Sequence, residues 1–408
     1  MEKYSEYKDS GVQWLGEIPS HWKAVQLGKL FNIKAGGDAK PDVYSETQDA
    51  IHPYPVYTNT KSDTDVYAFT SMPTCEANTI TVTGRGEVGH AIFRTTPYDA
   101  IIRLLSLIPK LDVVCKYYAY FVDTVIPFTS DSAAIGQLSA VQIKPKPVLL
   151  PSKEEQQAIV SYLDTKCSKI ETLLANKEKE ISLLQEMKQR IIADVVTRGL
   201  NPNVKFKSTN IPWLPEIPEH WKMRKIKYVF KERSEKNHPD EEPLCATQSR
   251  GVIPQSLYEG RVVVVNKGFE NLKFVKQGDF VISLRSFQGG IEYAYYQGII
   301  SAAYTILQVN EQQMASYYKL LFKSHDFIQL LQTCVTGIRE GQNINYPLLS
   351  NKLIPVPPIE EQHAIVSYIT ERTAKIDSLI EKLNKEIECI KEYKQRLISD
   401  VVTGQIKV

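Results

Sequence analysis

Glu154-Glu155-Gln156-Gln157-Ala158-Ile159-Val160-Ser161-Tyr162 and Glu360-Glu361-Gln362-His363-Ala364-Ile365-Val366-Ser367-Tyr368 are nearly one sentence written twice, 206 residues apart in a chain of 408. The copying runs on. Lys188-Gln189-Arg190 returns as Lys394-Gln395-Arg396, and Asp194-Val195-Val196-Thr197 as Asp400-Val401-Val402-Thr403. An earlier pair also recurs: Trp14-Leu15-Gly16-Glu17-Ile18-Pro19-Ser20-His21-Trp22 matches Trp213-Leu214-Pro215-Glu216-Ile217-Pro218-Glu219-His220-Trp221. A looser echo, Gly136-Gln137-Leu138-Ser139 against Gly341-Gln342-Asn343-Ile344-Asn345, precedes each Pro-rich linker. The chain is therefore one unit repeated, each copy made of a Trp-bracketed entry, a variable middle and a copied end.

The copied ends have helical periodicity. A heptad with a at Val160 and d at Leu163 continues through Cys167, Ile170, Leu174, Lys177, Ile181, Leu184, Lys188, Ile191 and Val195. The second copy gives Val366, Ile369, Thr373, Ile376, Ile380, Leu383, Ile387, Ile390, Lys394, Leu397 and Val401. An apolar spacing of 3.5 residues sustained this long predicts a coiled coil, and two such rods in one chain can bury each other's stripes. Lys188 and Lys394 break both seams at the same place; a polar seam residue sets register at some cost in stability. Ser152 with Glu155 forms a potential capping box. Gly199 and Gly404 offer stops, and Pro358 suits a first helical turn. At ~1.5 Å per residue each rod is ~65 Å long.

The middles, residues 23–150 and 222–356, carry strand signals at Thr79–Val82, Ala91–Phe93, Val262–Val265 and Phe280–Ser283. Turns fall at Gly36-Gly37-Asp38 and Gln277-Gly278-Asp279, and helices are expected over Cys115–Thr124 and Gln313–Leu331. Each middle is a mixed α and β domain, and the fold class is α+β. The organisation is a first domain at 1–150, a helix at 151–200, a second domain at 201–357 and a second helix at 358–408.

Composition narrows the chemistry. The chain is 43% hydrophobic and 24% charged, with a net charge of +2. There is no apolar run long enough to span a membrane, and no secretory leader pattern. Six cysteines without a Cys-x-x-Cys pair fit a reducing cytoplasm rather than a disulfide scaffold or zinc site. No Walker A sequence and no aminomethyltransferase-type Asn/Asp-Pro-Pro-aromatic stretch is present; His52-Pro53-Tyr54-Pro55 reads as a turn. Gly84-Arg85-Gly86-Glu87-Val88-Gly89 matches G-x-G-x-x-G. The next residues, His90-Ala91-Ile92-Phe93-Arg94, read as a strand rather than the helix a phosphate site needs, so an Arg-bearing strand-to-strand turn is expected. Leu284-Arg285-Ser286-Phe287-Gln288-Gly289-Gly290 is its counterpart. An arginine at such a tip suits bidentate contact with guanine. Residues 1–150 hold 14 basic and 16 acidic side chains, and residues 201–357 hold 19 and 14, so the second middle is the one suited to phosphate.

Two variable domains, each leading through a Pro-rich linker into a Glu-Glu-Gln helix, the second ending Val-Val-Thr-Gly, resemble the specificity subunit (S subunit) of type I restriction-modification systems. The resemblance covers nearly the whole chain. It implies two target recognition domains in pseudo-two-fold arrangement, separated by two long helices packed as an antiparallel coiled coil. Each domain would read one half of a bipartite, asymmetric site on double-stranded DNA. The helices would set the spacing and dock two modification (methyltransferase) subunits, which hold S-adenosylmethionine. Restriction (translocase and nuclease) subunits would bring ATP and Mg, leaving this chain non-catalytic, without a cofactor or metal, and cytoplasmic. Candidate DNA contacts are Lys34, Arg85, Arg94 and Gln137 in the first domain. In the second they are Gln248, Arg250, Arg285, Ser286, Gln288, Arg339, Gln342 and Asn343; Gln137 and Gln342, being shared, suit a common structural role. The alternatives are a coiled-coil scaffold with no DNA role and a solo DNA methyltransferase.

Overall fold

The structure is a computed structural model; it describes residues 2–62, 64–128, 137–260, 268–310, 313–336 and 343–408. The chain forms two units, residues 1–177 with 384–408, and residues 178–383. This division cuts across the sequential one: each long helix contributes to both units.

The first unit is built on strands β1 (Phe31–Ala35), β2 (Thr79–Val82), β3 (Ala91–Arg94) and β4 (Leu105–Pro109), followed by α1 (Cys115–Thr124). Its antiparallel sheet runs β1-β4-β2-β3. The helix α2 (Lys153–Arg198) leaves this unit for the second. There β5 (Phe230–Arg233), β6 (Phe280–Ile282), β7 (Glu292–Tyr293) and β8 (Thr305–Val309) form a sheet in the order β5-β8-β6-β7. The helices α3 (Ala315–Phe322), α4 (His325–Gln332) and α5 (Ile359–Val402) complete the chain. The two sheets share one topology although their sequences have diverged.

The strands read from sequence at Thr79–Val82, Ala91–Phe93 and Phe280–Ser283 are present within a residue, as is the helix Cys115–Thr124. Val262–Val265 lies outside the described residues. The helix expected over Gln313–Leu331 is broken in two. Ser324 takes an extended backbone, and its hydroxyl donates to the Leu321 carbonyl at 2.7 Å, a local bond that competes with continuation of the helix. The Lys323 side chain is drawn away to partners on other elements.

Within the first unit, residues 153–177 of α2 lie antiparallel to residues 384–402 of α5. Glu171 meets Lys394 at 2.8 Å and Lys177 meets Glu386. Within the second unit Lys188 meets Asp377 at 2.6 Å. The two seam lysines thus solve the same problem in the same way, since Glu171 and Asp377 are themselves 206 residues apart. Every heptad position is buried or half-buried, including Val160, Leu163, Ile170, Leu174, Ile181, Leu184, Ile191, Ile376, Ile380, Leu383, Ile387, Ile390 and Leu397. Leu173, Leu183, Met187, Leu379 and Tyr393, off the seam, are exposed.

The repeated words become the joints between domain and helix. Ser152 and Glu155 form the expected capping box, with Glu155 N at 3.2 Å from the serine hydroxyl and Ser152 N at 3.1 Å from the carboxylate. The other oxygen of Glu155 receives the Trp22 indole at 3.2 Å and meets the His21 ring at 2.8 Å. Burial pushes this carboxyl up, but the bonds from His21, Trp22 and Ser152 outweigh it and hold it below the ordinary glutamate range. Glu361 repeats the clamp with Trp221 at 2.9 Å and His220 at 2.6 Å. Buried Gln156 donates to the Pro151 carbonyl at 3.0 Å and accepts from Val114 N at 2.9 Å. Gln362 does the same with Pro357 and Met314, both at 2.9 Å. Val114 and Met314 are the N-cap residues of α1 and α3 and have no side-chain cap, so a glutamine from the long helix anchors each domain helix at its start. The buried Tyr117 and Tyr317 hydroxyls donate to the carbonyls of Val402 at 2.8 Å and Val196 at 2.7 Å, fastening the far end of the other long helix. Gly199 and Gly404 end these helices at φ +75° each, against Trp221 and Trp22. A Cβ on Gly404 would come within 2.5 Å of Pro19, so the position requires glycine.

Candidate nucleic-acid interface

In the first unit the sequence Gly84–Gly89 forms the turn between β2 and β3. Thr83 N donates to His90 O and Gly89 N to Thr83 O, both at 2.9 Å, closing a strand-to-strand loop with no helix after it. Gly86 and Gly89 sit at φ +69° and +92°; a Cβ on Gly89 would strike the Phe128 ring at 2.2 Å. A dinucleotide cradle has no helix N-terminus here to hold a phosphate. Arg85 is exposed at the tip. Its backbone pairs with that of Gln137, and Leu138 N donates to Gly84 O at 2.8 Å, so two of the candidate residues are brought together by main-chain bonds. Asn59, which no motif singles out, secures the turn: its carbonyl oxygen accepts from Gly84 N at 2.7 Å and its amide donates to Ile102 O at 2.6 Å.

Lys34 is exposed on β1, opposite Ser106 of β4. Arg94 differs from expectation. It is 4% exposed, its Nε donates to Thr81 at 3.0 Å, and its guanidinium lies 3.5 Å from the centre of the Tyr57 ring. It braces the interior of the domain and presents no edge to a duplex. His90 joins the turn to α1, meeting Asp123 at 2.5 Å and the Lys61 carbonyl at 2.8 Å. The hydrogen bond to Asp123 raises the imidazole above its ordinary value, against the opposing effect of partial burial.

In the second unit the equivalent turn follows β6. Arg285 and Gln288 are exposed on it. Ser286 is buried at 1%, and its hydroxyl accepts from Ser283 N at 2.9 Å, so this candidate shapes the turn rather than facing outward. Gln248 and Arg250 are exposed on the hairpin turn between strands Leu244–Thr247 and Gly251–Pro254. Asn343 is exposed on a short strand paired with Val335–Thr336, beside the helical turn Ser286–Gly289. Arg339 and Gln342 lie outside the described residues. In both units, therefore, the arginine-bearing turn rests on the segment just ahead of the Pro-rich linker. That segment ends in matching N-caps: Ser139, in a capping box with Gln142, and Asn345, which accepts from Leu348 N at 3.0 Å.

Lys323 is the other residue that sequence reasoning missed. Its ammonium donates to Gln248 O at 3.1 Å and Gly289 O at 2.8 Å, and pairs with Glu292 at 2.7 Å. Burial pushes the Glu292 carboxyl up, and Lys323 partly offsets this. Among the described residues no group of three or more His, Cys, Asp or Glu is placed to hold a metal ion. No helix of the described residues is long and apolar enough to cross a membrane.

A family profile described as "Type I restriction modification DNA specificity domain" matches residues 19–183 and 218–389, one match per repeat. The chain belongs to this family. It is 24% identical, over 100% of its length and 98% of the relative's, to the type I restriction enzyme MjaVIII specificity subunit of Methanocaldococcus jannaschii. Against the putative MjaX specificity subunit of the same organism it is 27% identical, over 67% of this chain and 62% of that relative. The EcoDI specificity subunit of Escherichia coli is 21% identical over 96% of this chain and 90% of its own length. Among solved structures, a chain from work on complex assembly and conformational transition of the type I R-M system superposes with a TM-score of 0.66. That match has 12% identity and covers 95% of this chain and 99% of that one, a likeness of fold.

Proposed function

We propose that this chain is the DNA-specificity subunit of a type I restriction-modification assembly and is not itself an enzyme. Each unit reads one half of a bipartite, asymmetric site on double-stranded DNA. The paired helices set the distance between the halves and dock two modification subunits. Those subunits hold S-adenosylmethionine and methylate the DNA; restriction subunits, where present, bring ATP, Mg and cleavage.

One observation carries this reading: what is copied and what is not. The Glu155 and Glu361 clamps, the Gln156 and Gln362 anchors and the Tyr117 and Tyr317 bonds recur in both units and join domains to helices. The turns bearing Arg85 and Arg285 differ in length and residues, as two readers of different half-sites would. Arginine, glutamine and asparagine at such tips suit the bidentate patterns of guanine and adenine edges. Docking of two identical partners is supported by the exposed apolar pairs Leu173 with Leu379 and Met187 with Tyr393, each 206 residues apart.

The test is co-expression with modification subunits and sequencing of the methylated positions. Replacing residues 23–150 by the first middle of another family member is expected to alter one half of the methylated site and leave the other. A change in both halves refutes modular reading. Methylation by the chain alone favours the solo enzyme, and failure to bind DNA with or without partners favours the scaffold.

A further inference from the structure

Four exposed candidates of the second unit sit on two turns from distant parts of the chain, Gln248 and Arg250 on one and Arg285 and Gln288 on the other. The turns touch: a Cβ on Gly289 would come within 2.9 Å of the Gln248 side chain. One main-chain carbonyl from each turn, Gln248 O and Gly289 O, accepts from the same Lys323 ammonium. Its third partner, Glu292 on β7, is 2% exposed, and the second oxygen of that carboxylate accepts no hydrogen bond from the described residues. Lys323 therefore neutralises a buried charge on the sheet and ties two loops to it at one point.

We propose that Lys323 is a positioning residue for sequence reading by the second unit, fixing the turn that bears Gln248 and Arg250 against the turn that bears Arg285 and Gln288. The inference rests on the DNA-recognition role proposed above. Aligning Tyr117-Tyr118 with Tyr317-Tyr318 places Asp123 where Lys323 stands. Asp123 accepts from Ala91 N at 3.0 Å and pairs with His90. The charge at this place is reversed between units, so the lysine is no part of the shared frame and its effect belongs to one half-site.

The experiment uses the chain in complex with its modification subunits, selected on duplexes randomised across the site. Lys323→Met is expected to lower base preference ~10-fold at one or more positions of one half-site, the scale of one mispositioned base contact, and to leave the other half unchanged. Lys323→Met also strands the Glu292 charge, so the double variant Lys323→Met/Glu292→Gln separates the two effects. It is expected to recover the melting temperature but not the preference. Recovery of both, or a Lys323→Met variant that selects as the wild type does, overturns the proposal. A wild-type complex that selects no sequence fails earlier and refutes the DNA-recognition role itself.

Discussion

Replacing Gln362 with leucine keeps the side chain's bulk and removes its polarity at a fully buried position. The wild-type amide makes three bonds, to Pro357 O, Met314 N and Gln313 Oε1. Gln313 keeps a bond from the Tyr318 hydroxyl at 3.1 Å, so two groups are orphaned: a buried carbonyl and a partly buried amide. An unsatisfied buried group costs about 1–3 kcal/mol, and the amide, being partly wet, costs less. The net loss is ~2–4 kcal/mol, located at the start of α3. Gln156→Leu orphans the equivalent pair, Pro151 O and Val114 N, and is expected to cost the same at the start of α1. A chain of two units need not unfold in one step, so the assay is hydrogen exchange by peptide. Protection should fall over residues 315–322 in the first variant and over residues 115–124 in the second. A loss below ~0.5 kcal/mol, or deprotection of the wrong helix, refutes the account of these glutamines as anchors.

Other outcomes are expected. Arg85→Ala and Arg285→Ala should each relax base preference in a different half-site, by ~1–3 kcal/mol per contacted pair, read by selection on randomised duplexes. The His90–Asp123 pair stabilises the first unit below the ordinary histidine value near 6.5 and loses that contribution as pH rises through its elevated folded value. Melting curves of Asp123→Asn should lack this fall, and an unchanged pH profile would count against the pair. Lys188→Leu with Lys394→Leu should raise the melting temperature, since each half-exposed ion pair is worth only ~0–1 kcal/mol and a seam leucine adds ~1.5 kcal/mol or more. A clear fall would show that the lysines carry the pairing. One added heptad in each helix, ~10 Å, should lengthen the methylated spacer or abolish activity; an unchanged spacer refutes the helices as a ruler.

The helices were legible because periodicity is local. Residues 160 to 195 and 366 to 401 state their own buried face, and copying states it twice. Sheet order was not legible, because β1 pairs with β4 across seventy residues that no local pattern connects. Besides the Gly136-Gln137 and Gly341-Gln342 echo, the kinship of the two middles left a faint trace in Tyr117-Tyr118 against Tyr317-Tyr318, whose rings meet edge to face at 4.9 and 5.0 Å. Residue type pointed to exposed Arg85, Gln248 and Arg285. It failed for Arg94 and Ser286, whose hydrogen bonds turn inward, because an arginine's preference for guanine and for a tyrosine face are written with the same letter. Lys323 gave no signal: its partners are two carbonyls and a carboxylate that only the fold collects.

The first unit is discontinuous in sequence, and its core includes Leu397, Ile398, Val401 and Val402. The second unit draws on residues 178–383 alone. A chain cut short before residue 384 therefore still holds every residue of the second unit, while the first lacks its last strip of core. A premature stop near residue 384 would strike the domain encoded at the opposite end of the message.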